Sequence, residues 1–156
     1  MDNLNVIMKC VFGSHLYGTS TLSSDKDLKQ IFLPSKEEIL LGKIHKSYSC
    51  NTKSSSASFK NTNEDVDIES YSLHYFIKLA LEGQTVAFDM LHVPDSMLLV
   101  TSDIWKIMVA NREKFYTKNI KAFVGYANNQ ASKYGLRSGR LGNIIQVIKV
   151  LETRLI

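Results

Sequence analysis

Gly13-Ser14-His15-Leu16-Tyr17-Gly18-Thr19-Ser20-Thr21-Leu22-Ser23-Ser24-Asp25-Lys26-Asp27 joins two apolar segments, residues 5–12 before it and residues 27–33 overlapping its end. The first segment, Asn-Val-Ile-Met-Lys-Cys-Val-Phe, reads as a strand that stops at Gly13. The second, Asp-Leu-Lys-Gln-Ile-Phe-Leu, reads as a strand that stops at Pro34, because proline cannot continue a central ladder. Between them, a Gly-Ser turn that opens a helix aims backbone N–H groups at an anion, and Gly13 lets a ligand approach the backbone closely. The hydroxyls of Ser14 and Thr19 can add donors. Carboxylates two positions apart on a strand point to one side, so Asp25 and Asp27 can share divalent ions that bridge a triphosphate and an attacking oxygen. Gly-Ser turns and Asp-x-Asp pairs are each common in loops. Their joint occurrence as strand, Gly-Ser, helix, Ser-Asp-x-Asp and strand within residues 5–33 is far more specific.

Downstream, Ser35 and Glu38 have capping-box spacing and Gly42 offers a left-handed end, which predicts a short helix. Residues 43–63 are polar and without helical period, so a loop or ragged hairpin is expected. Glu64-Asp-Val-Asp-Ile-Glu69 alternates, placing Asp65, Asp67 and Glu69 on one face of a strand and Val66 and Ile68 on the other. From Tyr71 to Glu82, Leu73, Phe76, Ile77, Ala80 and Leu81 recur at helical spacing, with Gly83 as the stop. Beyond Pro94 the pattern predicts helices over about 95–114, 119–134 and 139–155. The last carries a stripe of Leu141, Ile144, Ile145, Ile148 and Leu151 that needs a cover. This order implies an α+β fold: a sheet domain over residues 1–94 and a helical C-terminal part over 95–156 packed on it as one compact unit.

A chain of 156 residues with 44% hydrophobic and 22% charged residues is a globular domain's worth of sequence. Its net charge of +4 divides unevenly: residues 1–100 carry −3 and residues 101–156 carry +7. A basic segment beside clustered carboxylates suits an enzyme that holds metal ions and a polyanionic substrate. No apolar run approaches the roughly 18 residues that cross a bilayer, and the N-terminus lacks the order of a secretory signal, so no membrane partner and a cytoplasmic location are expected. Cys10 and Cys50 form no framework or metal motif and read as reduced thiols.

The Gly13-Ser14 and Asp25-x-Asp27 pattern resembles the signature of the DNA polymerase β-like nucleotidyltransferase superfamily. Gly-Ser-x-x-Tyr-Gly-Thr at 13–19, Ser24-Asp-x-Asp-Leu28 and Tyr71-Ser-Leu-His-Tyr-Phe-Ile-Lys-Leu-Ala80 are similar to the branch linked to RNA repair in bacteria and large phages. The resemblance covers about residues 5–130. It implies a small mixed nucleotidyltransferase-type sheet flanked by helices, two Mg²⁺ or Mn²⁺ ions, and transfer of NMP from an NTP, with ATP the expected donor, to a hydroxyl on RNA or protein. It also implies a third carboxylate on a neighbouring strand, for which Asp67 is the choice and Glu69 the runner-up, ahead of Asp65 and Asp89. Catalysis and metal binding are thus assigned to Asp25, Asp27 and Asp67.

The chain departs from that branch at Gly83-Gln84-Thr85, where a Gly-Asn-Pro-like turn is usual, and at Asp89-Met90-Leu91, where a Glu-Leu-Leu element is usual. Members of the branch run on through a longer helical region, so a shortened member is implied, with the last helix a candidate homodimer contact. Lys133, Arg137 and Arg140, flanking Tyr134 and Gly135, form a basic cluster that can receive triphosphate or RNA backbone. His15 reads as a solvent-facing helix-start residue in preference to a phosphate contact, and Trp105 with Met108 as core in preference to a base-stacking platform. Two other readings compete: a degenerate, non-catalytic protein that binds nucleotide, RNA or protein, and a nucleotide sensor that retains the acidic pair.

Overall fold

The computed structural model describes residues 4–52, 65–119 and 121–134. Residues up to Lys118 make one compact unit and those from Asn119 a second. In the first unit β1 (Asn5–Val11), β2 (Lys26–Leu33), β3 (Ser47–Asn51), β4 (Val66–Ser72) and β5 (Leu98–Thr101) form one sheet in the order β3-β4-β2-β1-β5. The β2–β4 pair is parallel and the other pairs antiparallel, giving the mixed sheet of an α+β fold. The helices are α1 (Gly13–Leu16), α2 (Lys36–Leu40), α3 (Leu73–Leu81), α4 (Thr85–Leu91) and α5 (Asp103–Ala110), while α6 (Lys121–Tyr134) lies in the second unit.

Local chemistry accounts for most of these boundaries. Ser35 and Glu38 close the expected capping box, with Glu38 N donating to Ser35 Oγ at 3.1 Å and Ser35 N donating to Glu38 Oε2 at 2.8 Å. Gly83, at φ +73°, ends α3 where the sequence places a stop. Tyr71 and Ser72, expected in the helix, instead extend β4: Ser72 N bonds Lys46 O at 2.9 Å, and Ser72 Oγ then caps α3 by accepting from Tyr75 N. Leu79, not Leu81, joins Phe76 and Ala80 in the core, and Leu81 is 56% exposed.

Two regions correct the sequence pattern. The helix expected over 95–114 is a 3₁₀ turn (Asp95–Met97), β5, α5 and a second 3₁₀ turn (Arg112–Phe115). Leu98-Leu99-Val100-Thr101 suits a strand, and it pairs with β1 as the edge of the sheet. Between Gly83 and Pro94, α4 buries Ala87, Met90 and Leu91. The polar stretch after residue 43 supplies β3, the ragged-hairpin alternative, paired antiparallel with β4. The stripe over 139–155, and the dimer contact expected of it, lie outside the described residues.

Residues paired across strands share a face, and along one face polarity changes row by row. Met8, Ile31 and Tyr71 form a buried row. Cys10, Lys29, Glu69 and Ser49 form the next. Asp27, Asp67 and Asn51 form the last. α3 packs on β2 and β4, and α5 packs on β1. Phe76 meets Trp105 edge-on, with ring centroids 5.8 Å apart; each such side chain contributes about 1.5–3 kcal/mol on burial. The core thus anchors the strands whose far ends carry the acids. Among the described residues no helix is long and apolar enough to cross a membrane.

Candidate active site

Asp25 directly precedes β2, Asp27 lies on β2, and Asp67 is its direct partner on β4. Parallel pairing in this register sets the two strand acids side by side, and one carboxylate oxygen from each of the three residues lies within 4.8 Å of the others. Burial foremost, then the charges of Asp25 and Asp67, pushes the Asp27 carboxyl above its ordinary value, against the pull of Lys29 and His15. Asp67 Oδ1 is buried with no hydrogen-bond partner. A buried, unpartnered carboxylate oxygen costs free energy, and hard divalent cations prefer such oxygen donors. The three residues therefore fit a divalent metal.

Gly13 holds this arrangement together. Its φ is +60°, and a β-carbon there would stand 2.0 Å from Asp27 Oδ2. The glycine that the sequence assigns to ligand approach has a nearer task, which is to let a carboxylate lie against the backbone. Phe12 N donates to Asp27 O at 2.8 Å, fastening the turn to β2. Thr19, exposed, folds back onto Ser14, whose carbonyl accepts from Thr19 N at 2.9 Å and from Thr19 Oγ1 at 3.4 Å. Tyr17 Oη donates to Asp89 Oδ2 at 2.7 Å.

The remaining acids are placed elsewhere. Glu69, one row from Asp67, forms an ion pair with Lys29 and accepts from the Tyr71 phenol. Burial opposes its charge, but those contacts outweigh it and hold the Glu69 carboxyl below its ordinary value. Lys29 Nζ also sits 5.1 Å from the Phe12 ring centroid and 5.7 Å from that of Tyr71, a setting favourable to a cation. Asp65, just before β4, accepts from Lys26 N through its carbonyl and is not in the cluster; Asp89 is engaged by Tyr17. His15 is not the solvent-facing residue the sequence suggests, since its Nε2 is buried without a hydrogen-bond partner, next to the turn. Of the basic cluster, Lys133 belongs to α6 and its side chain is not described, while Arg137 and Arg140 lie outside the described residues.

Beside the acids runs a cleft of about 380 Å³, lined by Asp27, Lys29, Ser49, Asn51, Asp67 and Glu69 among others. Ser49 and Asn51 were missed from sequence because their segment is polar throughout. The signal was the alternation of Ser49 and Asn51 around Cys50, which puts both on one face of a strand.

Residues 1–151 match the model of a family described as the RNA repair pathway DNA polymerase beta family. Over 151 residues, 96% of this chain, the sequence is 46% identical to an uncharacterized 38.9 kDa protein from the nrdC–mobD intergenic region of Enterobacteria phage T4. The chain spans 44% of that relative's length.

Proposed function

The chain belongs to the RNA repair pathway DNA polymerase β family, and from that premise we propose that it transfers a nucleoside monophosphate from an NTP to the 3′-hydroxyl of an RNA, releasing pyrophosphate. The observation that carries this reading is the convergence of Asp25, Asp27 and Asp67 beside the Gly13-Ser14 turn. Those three carboxylates would hold divalent cations, Mg²⁺ or Mn²⁺, whose chemistry there is to neutralise phosphate charge and ease deprotonation of the acceptor hydroxyl. Gly13 and Ser14 receive the β and γ phosphates on backbone N–H groups, with the Ser14 hydroxyl as a further donor. The acceptor oxygen forms a bond to the α-phosphorus, the bond from that phosphorus to the bridging oxygen breaks, and pyrophosphate leaves. Asp67 would also orient the acceptor hydroxyl and take its proton. RNA is favoured over protein as acceptor by the family's description.

Calorimetry tests the division of labour. NTP binding that depends on Mg²⁺ is expected in the wild type and in Asp67→Asn, but not in Asp25→Asn combined with Asp27→Asn. Equal metal-dependent affinity in that double variant overturns the reading.

A further inference from the structure

From the cleft beside the acids we infer that β3 and β4 carry a subsite for the terminal ribose of the acceptor, in which Asn51 and Ser49 hold the sugar and its 2′-hydroxyl is read. The inference rests on the function proposed above and extends it to residues not assigned there.

Position across the sheet is the first ground. The Gly13-Ser14 turn follows β1, Asp27 lies on β2, Asp67 on β4 and Asn51 on β3, and the register pairs Asp27 with Asp67 and Asp67 with Asn51. With strands about 4.8 Å apart, Asn51 stands about 10 Å from Asp27, on the side away from the turn. In an in-line displacement the attacking oxygen enters on the side of the phosphorus opposite the one from which the leaving oxygen departs. Phosphates held at the turn set the acceptor on the side away from it, toward β4 and β3, and the cleft beside the acids lies against those strands.

The second ground is the cleft's size and chemistry. At about 380 Å³ it falls within the range of small-ligand sites and has room for a nucleoside-sized group, more than a serine or threonine hydroxyl requires. Its walls offer the amide of Asn51, the hydroxyl of Ser49 and the carboxylate of Glu69, donors and acceptors suited to a vicinal diol. The ion pair between Glu69 and Lys29 fixes the inner wall, since Lys29 is also held over two aromatic rings. Recognition of a 2′-hydroxyl is what separates RNA from DNA at a given site.

The test uses the whole chain and two readouts. A short RNA ending in 4-thiouridine is photocrosslinked to the protein and the adduct mapped by mass spectrometry; adducts are expected on the peptide containing Ser49 to Asn51 or on β4. In parallel, initial rates are compared for acceptors with a 2′-hydroxyl and a 2′-deoxy end. About a tenfold preference for the ribose end is expected, reduced in Asn51→Ala, which should raise the acceptor KM while Mg²⁺-dependent NTP affinity holds. Crosslinks confined to another surface or absent altogether, equal use of both ends, label on protein in place of RNA, or an unchanged acceptor KM in Asn51→Ala overturns the subsite. Metal-dependent NTP binding without these acceptor effects sinks this inference alone, whereas loss of that binding removes the function it rests on.

Discussion

The Tyr17 phenol donates a 2.7 Å hydrogen bond to Asp89 Oδ2, tying the segment after the Gly13-Ser14 turn to α4, 72 positions further along the chain. The Tyr17 ring also meets Phe12 edge-on at 6.1 Å, so the turn is braced on both sides. Asp89 thus contacts the segment after the turn without joining the three clustered acids. Tyr17→Phe removes the bond and keeps the ring; it should lower stability by about 1 kcal/mol in urea titration and raise the KM for NTP several-fold with kcat little changed. An unchanged KM would show that the brace has no bearing on the turn.

Gly13→Ala tests the packing of Asp27 against the backbone. The left-handed φ alone costs an L-residue about 1–2 kcal/mol, and the added methyl overlaps Asp27 Oδ2. Lower thermal stability and at least a tenfold loss of Mn²⁺ affinity are expected. Metal affinity equal to wild type in the alanine variant would refute the close approach.

Without metal, the raised carboxyl of Asp27 makes stability pH-dependent in a defined sense. A group whose folded pKa lies above its unfolded value favours folding fully below the unfolded value and loses that contribution as pH rises through the folded value. The contribution of Asp27 is therefore lost upward from its ordinary value of 3.8, as burial and the neighbouring acids penalise the charge. In EDTA, Asp27→Asn should melt higher than wild type at pH 7, and the gap should shrink toward pH 4. A gap that is constant or widens on acidification contradicts this account, as would failure of added Mg²⁺ to raise the wild-type melting temperature.

The two thiols should separate cleanly. Burial pushes Cys10 up to about 12, whereas Cys50 is exposed on β3 beside the cleft. One equivalent of maleimide should react in native protein at pH 7.5 and two in denaturant. Rapid labelling of both in the native state would mean that β1 opens readily.

The elements nearest the site were the most legible in sequence. The strand before Gly13, the strand ending at Pro34 and the Ser35 capping box are set by neighbours within a few positions, and Asp25 with Asp27 needs only the two-residue period of a strand. Asp67 was legible as an acid between Val66 and Ile68, but its parallel pairing with Asp27 is a contact between residues 40 apart that local pattern does not specify. The same holds for β5: Leu98-Leu99-Val100 can extend an apolar helix or a strand, and the exposed edge of β1 decides. Asn51 and Ser49 hid in a polar segment that becomes a strand only against β4. Gly13 was found for one reason and is required for another, because a carboxylate from the next strand cannot be seen from the turn.

The most direct test of the central claim is transfer itself. Wild-type protein and the Asp25→Asn/Asp27→Asn variant are incubated with each α-³²P-labelled NTP, Mg²⁺ or Mn²⁺, RNA with free 3′ ends, and lysate protein. Label on RNA from the wild type alone, with ATP the best donor, is the predicted result; label from both proteins, or from neither while the wild type binds NTP and metal, would contradict it.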